Sequence, residues 1–257
     1  MGSPDETVVC VIPTYNEKQN LKTLIPSLQE IFRKNKLNGV ILVVDDHSPD
    51  GTGQLVKEFS KRYGNVYLVS QPKRMGLGLA YKTGFTYALE KLNGKVIIQM
   101  DGDCSHNPTY MSNFLEKINE GYDVIVGCRY IEGGGIIGWS LRRKLISRLA
   151  NNIARLLTGI KLNDLTSGYR AFTNQALKKI NPNKLNSKGF DFQMEVLFMA
   201  KKSGLKIAEV PLVFVNRRKG KSKLTFEEIL KFSLTCLRLS VQRISQRQFL
   251  RKEIPKT

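Results

Sequence analysis

Five short apolar runs, each separated from the next by a stretch long enough for a helix or a tight turn, constrain this chain more than any other feature. Residues 8–12, 40–44, 66–69, 96–100 and 124–127 are dominated by Val, Ile and Leu. They are too short for helices and too continuous for strands with one wet face, so they read as buried strands. Residues 17–34, 51–63, 77–92 and 108–119 lie between them with helical length and periodicity. A β-α-β-α rhythm of this kind predicts an α/β fold, a doubly wound and mostly parallel sheet flanked by helices. Ligands of such sheets bind outside the carboxyl ends of the strands. The residues that follow each strand are therefore where chemistry is expected.

Beyond residue 128 the rhythm loosens. Residues 129–140 hold Gly133, Gly134, Gly135 and Gly138 and read as a mobile loop. Residues 141–157 read as a basic helix, 190–202 as a second helix and 206–215 as a strand. A last helix is expected over 226–244. The longest apolar runs are only a few residues, so no segment is expected to span a bilayer. The polar, acidic start matches no signal peptide. Cys10, Cys104, Cys128 and Cys236 lack paired spacing and read as scattered core thiols rather than zinc ligands or disulfides.

Composition matters chiefly through charge. The 257 residues carry 41 Lys+Arg and 22 Asp+Glu, a formal net charge of +19. Residues 1–140 hold 15 basic and 15 acidic side chains, whereas residues 141–257 hold 26 and 7, so the second part carries the entire excess. That distribution implies a neutral scaffold joined to an anion-facing surface, whether the anion is phosphate, nucleic acid or membrane. With 41% hydrophobic residues the chain is neither disordered nor fibrous.

Three acidic clusters follow predicted strands: Pro13-Thr14-Tyr15-Asn16-Glu17, Asp45-Asp46-His47-Ser48-Pro49-Asp50 and Asp101-Gly102-Asp103. Carboxylates converging on one sheet edge repel unless a cation or hydrogen-bonding ligand fills the space. Asp101 and Asp103 flank a glycine that lets both aim at one point. Hard oxygen ligands of this kind suit Mg²⁺ or Mn²⁺ held together with substrate phosphates. Asp50 and Asn107 taken singly read as helix caps. Asp46 has the position of an acidic group that accepts hydrogen bonds from a nucleoside, and Tyr15 is either a stacking platform or packing. Gly76-Leu77-Gly78 reads as a helix start rather than a phosphate loop. Arg129 is expected beside the Asp101/Asp103 edge. Arg143 and Ser147, four apart on a helix, share a face that can grip a phosphate. The loop from Arg217 to Lys223 has the charge and the glycine hinge of a lid over a diphosphate.

Taken in order, these strings resemble the family 2 glycosyltransferases of GT-A fold, and within them the dolichol-phosphate mannose synthase group. The resemblance runs from Val8 to about Ile244. It also rests on Gly127-Cys128-Arg129-Tyr130, Gly138-Trp139-Ser140-Leu141-Arg142-Arg143, Asp164-Leu165-Thr166-Ser167-Gly168-Tyr169-Arg170 and Lys221-Ser222-Lys223. It implies that Pro13, Tyr15, Glu17, Val44 and Asp46 hold the guanosine part of GDP-mannose. Asp101 and Asp103, with the Gly102 backbone, would bind the metal and diphosphate. A third metal ligand is Gln in some members and Ser105 here, a departure from the pattern. Arg129, Arg143 and Ser147 would receive the phosphate of dolichol or another polyprenol, Arg129 also touching the donor, and Arg217 and Lys223 would clamp the nucleotide.

The implied reaction is an inverting, metal-dependent transfer of mannose from GDP-mannose to a polyprenyl phosphate, giving a β-linked mannosyl phosphate. The anionic acceptor needs no general base; Asp103, Arg129 and Arg143 are the expected catalytic residues. One domain is expected over 1–257: 7–128 for the nucleotide sugar, 129–223 for the acceptor and lid, and 224–257 as a membrane- or partner-facing amphipathic helix and tail. The apolar stripe of that helix is Leu230, Leu234, Leu237, Val241 and Ile244, with Lys231, Thr235, Arg238 and Gln242 opposite. The stripe would lie on a membrane or pack on its own domain. Some members continue into transmembrane helices and others use small membrane subunits, whereas this sequence stops at Thr257. The resemblance implies a peripheral place on the cytoplasmic face of a membrane, the endoplasmic reticulum in a eukaryote. Two rival readings are a glucosyltransferase using UDP-glucose and a basic nucleic-acid-binding module. The second is disfavoured because no recognition helix is evident and the acidic edge repels phosphate, so no nucleic acid is expected as a partner.

Overall fold

A computed structural model describes residues 6–216 and 226–252. The expected rhythm is realised as β1 (Thr7–Thr14), α1 (Lys18–Lys34), β2 (Asn38–Asp45), α2 (Thr52–Tyr63), β3 (Val66–Ser70), α3 (Leu77–Glu90), β4 (Val96–Gln99), α4 (Met111–Asn119) and β5 (Val124–Cys128). Next come β6 (Gly135–Ile137), α5 (Leu141–Thr158), β7 (Arg170–Thr173) and α6 (Asn174–Ile180). The described chain ends with α7 (Phe192–Lys202), β8 (Ile207–Pro211), β9 (Val213–Val215) and α8 (Phe226–Lys252).

The main sheet has seven strands in the order β3-β2-β1-β4-β7-β5-β8, parallel apart from β7, which runs antiparallel to both β4 and β5. Side chains alternate across it. On β1, Val8, Cys10 and Ile12 enter the core under α1, α2 and α4, while Val9 and Val11 enter the core under α3, α6 and α7. Helix α3 lies so close to the sheet that a Cβ on Gly84 would come within 2.3 Å of Val11 Cγ1. Strands β1 and β4 are neighbours, and the chain winds outward from them in both directions. Their carboxyl ends therefore flank the topological switch point, where a ligand crevice opens.

Several expectations need correction. The segment 206–215 is two strands in different sheets: β8 joins β5, whereas β9 pairs with β6 in a separate two-stranded sheet. Residues 129–140, expected as a mobile loop, therefore contain a paired strand. Strand β7 was not anticipated, because Arg-Ala-Phe-Thr lacks an apolar run. Of the four cysteines, Cys10, Cys128 and Cys236 are buried thiols, but Cys104 is exposed, and none forms a disulfide.

Helix α8 is amphipathic as expected, and the face that meets the domain is the one opposite the apolar stripe. Its Thr235, Cys236 and Leu239 are buried against the domain. The apolar stripe does not pack on its own domain: Leu234 is 57% exposed and Val241 63%. Helix α5 lies alongside and is also apolar on its outer face, with Leu141 79% exposed and Leu149 61%. The two are joined where Arg243 donates to the carbonyls of Leu156 and Leu157 at the end of α5. Among the described residues no helix is long and apolar enough to cross a membrane.

Candidate active site

A cleft of about 500 Å³ opens at the switch point. Its floor is built from the ends of three strands. Thr14, the last residue of β1, donates to Asp45 Oδ1 at 2.9 Å, and Ser48 donates to both oxygens of the same carboxylate, so Asp45 ties β1 to β2. Its neighbour Asp46 lines the cleft and accepts from the backbone N–H groups of Met75 (2.6 Å) and Gly76 (2.9 Å). Gly76 adopts φ +97°, and the Gly78 N–H donates to the Lys188 carbonyl at 2.8 Å. A Cβ on Gly78 would sit 2.8 Å from that carbonyl carbon. The glycine pair is thus a helix start, as expected, and also the place where α3 meets the loop over the cleft.

Asp101 and Asp103 follow β4 and both line the cleft around Gly102. Ser105 donates to Asp103 Oδ1 from its backbone N–H (3.0 Å) and its hydroxyl (2.5 Å) across a turn in which Cys104 takes φ +62°. The Tyr81 hydroxyl donates to Asp101 Oδ1 at 3.0 Å, and the Asp101 N–H donates to His106 Nδ1 at 3.1 Å. His106 is buried and stacks on Tyr169, ring centroids 5.0 Å apart. Burial pushes its imidazole below the ordinary value against the raising pull of Asp101, and the accepting Nδ1 leaves the proton on Nε2.

The donor chemistry here fits a hard divalent cation. Two carboxylates flank a glycine at a cleft, and among the described residues no group of three or more His, Cys, Asp or Glu side chains converges to cage an ion. Mg²⁺ and Mn²⁺ sites built from one or two carboxylates complete their shells with water and substrate phosphates. Ser105, the weaker candidate ligand, is buried and directs its hydroxyl at Asp103, so its visible role is to hold that carboxylate.

The other expected site residues divide into groups. Pro13, Tyr15 and Glu17 line the cleft, with the Arg74 guanidinium 4.3 Å from the centroid of the Tyr15 ring. The Val44 side chain is not in the cleft wall but fully buried in the core under α3. Asp50 and Asn107 are caps, accepting from the N–H groups of Thr52 and Thr109. Arg129 is buried and ion-paired: Nε and Nη2 donate to Asp164 at 2.6 and 2.7 Å, and Nη2 also donates to Thr166. It lies off the cleft wall in an aromatic cluster with Arg143, their guanidinium carbons 5.4 and 3.9 Å from the Trp139 ring centroid. Ser147, one turn beyond Arg143, accepts from the Tyr130 hydroxyl at 2.7 Å. Ring contacts from His106 to Phe214 (5.8 Å) and from Phe214 to Trp139 (5.4 Å) connect this cluster to the Asp101 turn. Arg217 and Lys223, the expected clamp, lie outside the described residues.

Sequence reasoning missed the cleft's roof. Residues 186–191 cover it, held by Glu195, which accepts from the N–H groups of Asn186 and Ser187, and by Glu228 of α8, which accepts from the Phe190 N–H. Arg238 of α8 donates in turn to Glu195 at 2.8 Å. Tyr81 and Arg74 were missed too. A tyrosine inside a helix carries no local signal, and Arg74 belongs to an undistinguished basic turn.

Known proteins match this chain in sequence and in fold. Residues 9–181 match the family described as "Glycosyl transferase family 2". A polyprenol monophosphomannose synthase of Mycolicibacterium smegmatis is 36% identical over 227 residues, covering 88% of this chain and 84% of that protein. An undecaprenyl-phosphate mannosyltransferase of Micrococcus luteus is 35% identical over 218 residues, covering 85% and 87%. Among solved structures, mannosyl-3-phosphoglycerate synthase from Rubrobacter xylanophilus superposes with a TM-score of 0.68 at 18% identity, over 98% of this chain and 78% of that one. Glucosyl-3-phosphoglycerate synthase from Mycobacterium tuberculosis, solved with Mn²⁺, UDP-glucose and phosphoglyceric acid, gives 0.66 at 19%, over 92% and 80%.

The Arg129–Asp164 pair generates a stability prediction. Burial alone would push the Asp164 carboxyl up, but the charge and hydrogen bonds of Arg129 outweigh it and hold it below the ordinary value. A carboxyl lowered in the folded state contributes stability above the unfolded value, about pH 4, and loses it as pH falls through the folded value. Asp164→Asn strands the guanidinium and should cost about 3–5 kcal/mol in urea unfolding at pH 7, a gap that narrows in acid. Equal stability at pH 7 would contradict the pairing.

Proposed function

The chain belongs to glycosyl transferase family 2, and from that premise we propose that it transfers a mannosyl group from GDP-mannose to the phosphate of a polyprenol. The observation that carries this reading is the acidic pair Asp101 and Asp103 at the switch-point cleft. The basic aromatic cluster around Trp139 stands next to it, and the mannosyltransferase relatives align along most of the chain. Asp101 and Asp103 would hold Mg²⁺ or Mn²⁺, which when bound offsets the negative charge of the donor diphosphate. Tyr15 and Arg74 offer a flat cationic–aromatic rim for the base, and Pro13, Glu17 and Asp46 bound the same end of the cleft. Arg217 and Lys223, which lie outside the described residues, would clamp the nucleotide if the resemblance to the family holds at those positions.

The acceptor is a phosphate monoester and already anionic, so its oxygen attacks without a general base. Arg143 and Ser147 would bring that oxygen behind the anomeric carbon. Arg129, neutralised in part by Asp164, is suited to rigid orientation of the phosphate rather than to long-range attraction. A bond forms from phosphate oxygen to the anomeric carbon as the bond to the diphosphate breaks, and the diphosphate leaves with the electron pair. Displacement from the opposite face inverts that carbon and gives a β-linked mannosyl phosphate.

A polyprenyl acceptor is insoluble in water, and the outer faces of α5 and α8 supply a fitting surface. Leu145, Leu149, Leu156, Leu234, Leu237 and Val241 are exposed, with the exposed Arg142, Arg148 and Arg155 among them. An apolar face rimmed by cations lies on anionic bilayers without crossing them. This supports peripheral attachment to the membrane that carries the acceptor.

Two variants test the reading. Asp103→Ala should abolish label transfer from GDP-mannose to polyprenyl phosphate while the far-UV spectrum is unchanged; near-wild-type transfer would sink the role of the acidic pair. Leu149→Glu combined with Leu234→Glu should release the protein from anionic polyprenyl-phosphate vesicles in a flotation assay. Undiminished flotation would refute the proposed face.

A further inference from the structure

We propose that Tyr81 is a positioning residue that holds the Asp101 carboxylate in the orientation that binds the divalent cation; the inference rests on the reading of the cleft given above. Tyr81 lies on the first turns of α3, wholly buried. Its ring is stacked between Phe85 (5.7 Å) and Phe192 (5.8 Å), so it cannot swing aside without opening the core. Packing alone would be served by phenylalanine, since a buried hydroxyl costs free energy unless it finds a partner. The partner here is Asp101 Oδ1 at 3.0 Å, and because an ionised carboxylate only accepts, the phenol is the donor.

Two further contacts close in on the same carboxylate. A Cβ on Gly168 would lie 3.2 and 3.4 Å from the two Asp101 oxygens, so the glycine backbone forms a wall with little slack. His106 fixes the Asp101 main chain through Nδ1, and its Nε2 faces Oδ2 at 3.9 Å, in contact but beyond hydrogen-bond range. Asp103 has separate support from Ser105. The two carboxylates are therefore oriented by independent groups, one of them reaching up from the helical core beneath. Groups that orient a metal-binding carboxylate govern affinity for the ion even though they never touch it.

The test is a Mn²⁺ titration followed by electron paramagnetic resonance, in the presence of whichever of GDP and UDP binds the wild-type protein. Tyr81→Phe should weaken Mn²⁺ binding about 10–100-fold, while thermal midpoint and nucleotide binding in EDTA stay at wild-type values. Transfer activity should recover as Mn²⁺ is raised to saturation, because the phenol positions the site and does not touch substrate. Gly168→Ala, which crowds the same carboxylate from the other side, should also lower Mn²⁺ affinity. Wild-type Mn²⁺ affinity in Tyr81→Phe overturns the positioning role, whatever Gly168→Ala does. Mn²⁺ affinity that is equally absent from wild type and Asp103→Ala overturns the reading of the cleft itself, and the inference with it.

Discussion

Asp45 and Asp46 stand at the carboxyl end of β2 and Asp101 and Asp103 just beyond β4, so four carboxylates share one edge of the sheet, where like charges repel. The local structure is arranged to hold them. Asp45 is gripped by the hydroxyls of Thr14 and Ser48, Asp46 by two backbone N–H groups before α3, Asp103 by Ser105 and Asp101 by Tyr81. Each donor comes from an element whose position the fold already sets. In the function proposed above, the negative charge of that edge would draw a cation and, through it, a diphosphate. The parallel strands, the glycines that bring α3 and the roof loop together, and the segment before β7 that places Gly168 next to Asp101 all shape that edge.

The uneven charge of the chain has a physical counterpart. Its acidic edge belongs to the neutral first part, and the surplus cations of the second part divide between two duties. One is internal: Arg170 is fully buried, its two terminal nitrogens on the carbonyls of Gln193 and Leu165. Burial lowers that guanidinium to about 9, and Asp164 and Tyr81 work against the shift. Others, on α5 and α8, stand among exposed leucines at the surface. Helix α8 joins the two ends of the molecule, since Glu228 and Arg238 reach the roof of the cleft while Leu234 and Val241 face outward.

Much of this was legible in the sequence. Buried parallel strands announce themselves as apolar runs, and turn residues after them mark a sheet edge, so β1 to β5 and the acidic clusters were readable. What escaped depended on partners distant in sequence. Strand β7 is defined by its two neighbours and not by its own residues. Which face of α8 meets the domain stayed open because Thr235 and Arg238 look solvent-seeking until Asp191 and Glu195 are placed beside them. The pairing of Arg129 with Asp164 was not legible because the two lie 35 residues apart in the chain. Val44 was attached to the nucleotide by resemblance, whereas its side chain faces α3.

An acidic switch-point edge that serves a mannosyl donor, beside a basic surface that serves a lipid phosphate, dictates which sugar reaches the lipid. The decisive experiment supplies the full chain with Mn²⁺, vesicles containing polyprenyl phosphate, and labelled GDP-mannose, UDP-glucose or UDP-GlcNAc in turn. Label should enter the lipid from GDP-mannose alone. Label from a UDP-sugar instead, or from none of the three with the acceptor well presented, would rule that assignment out.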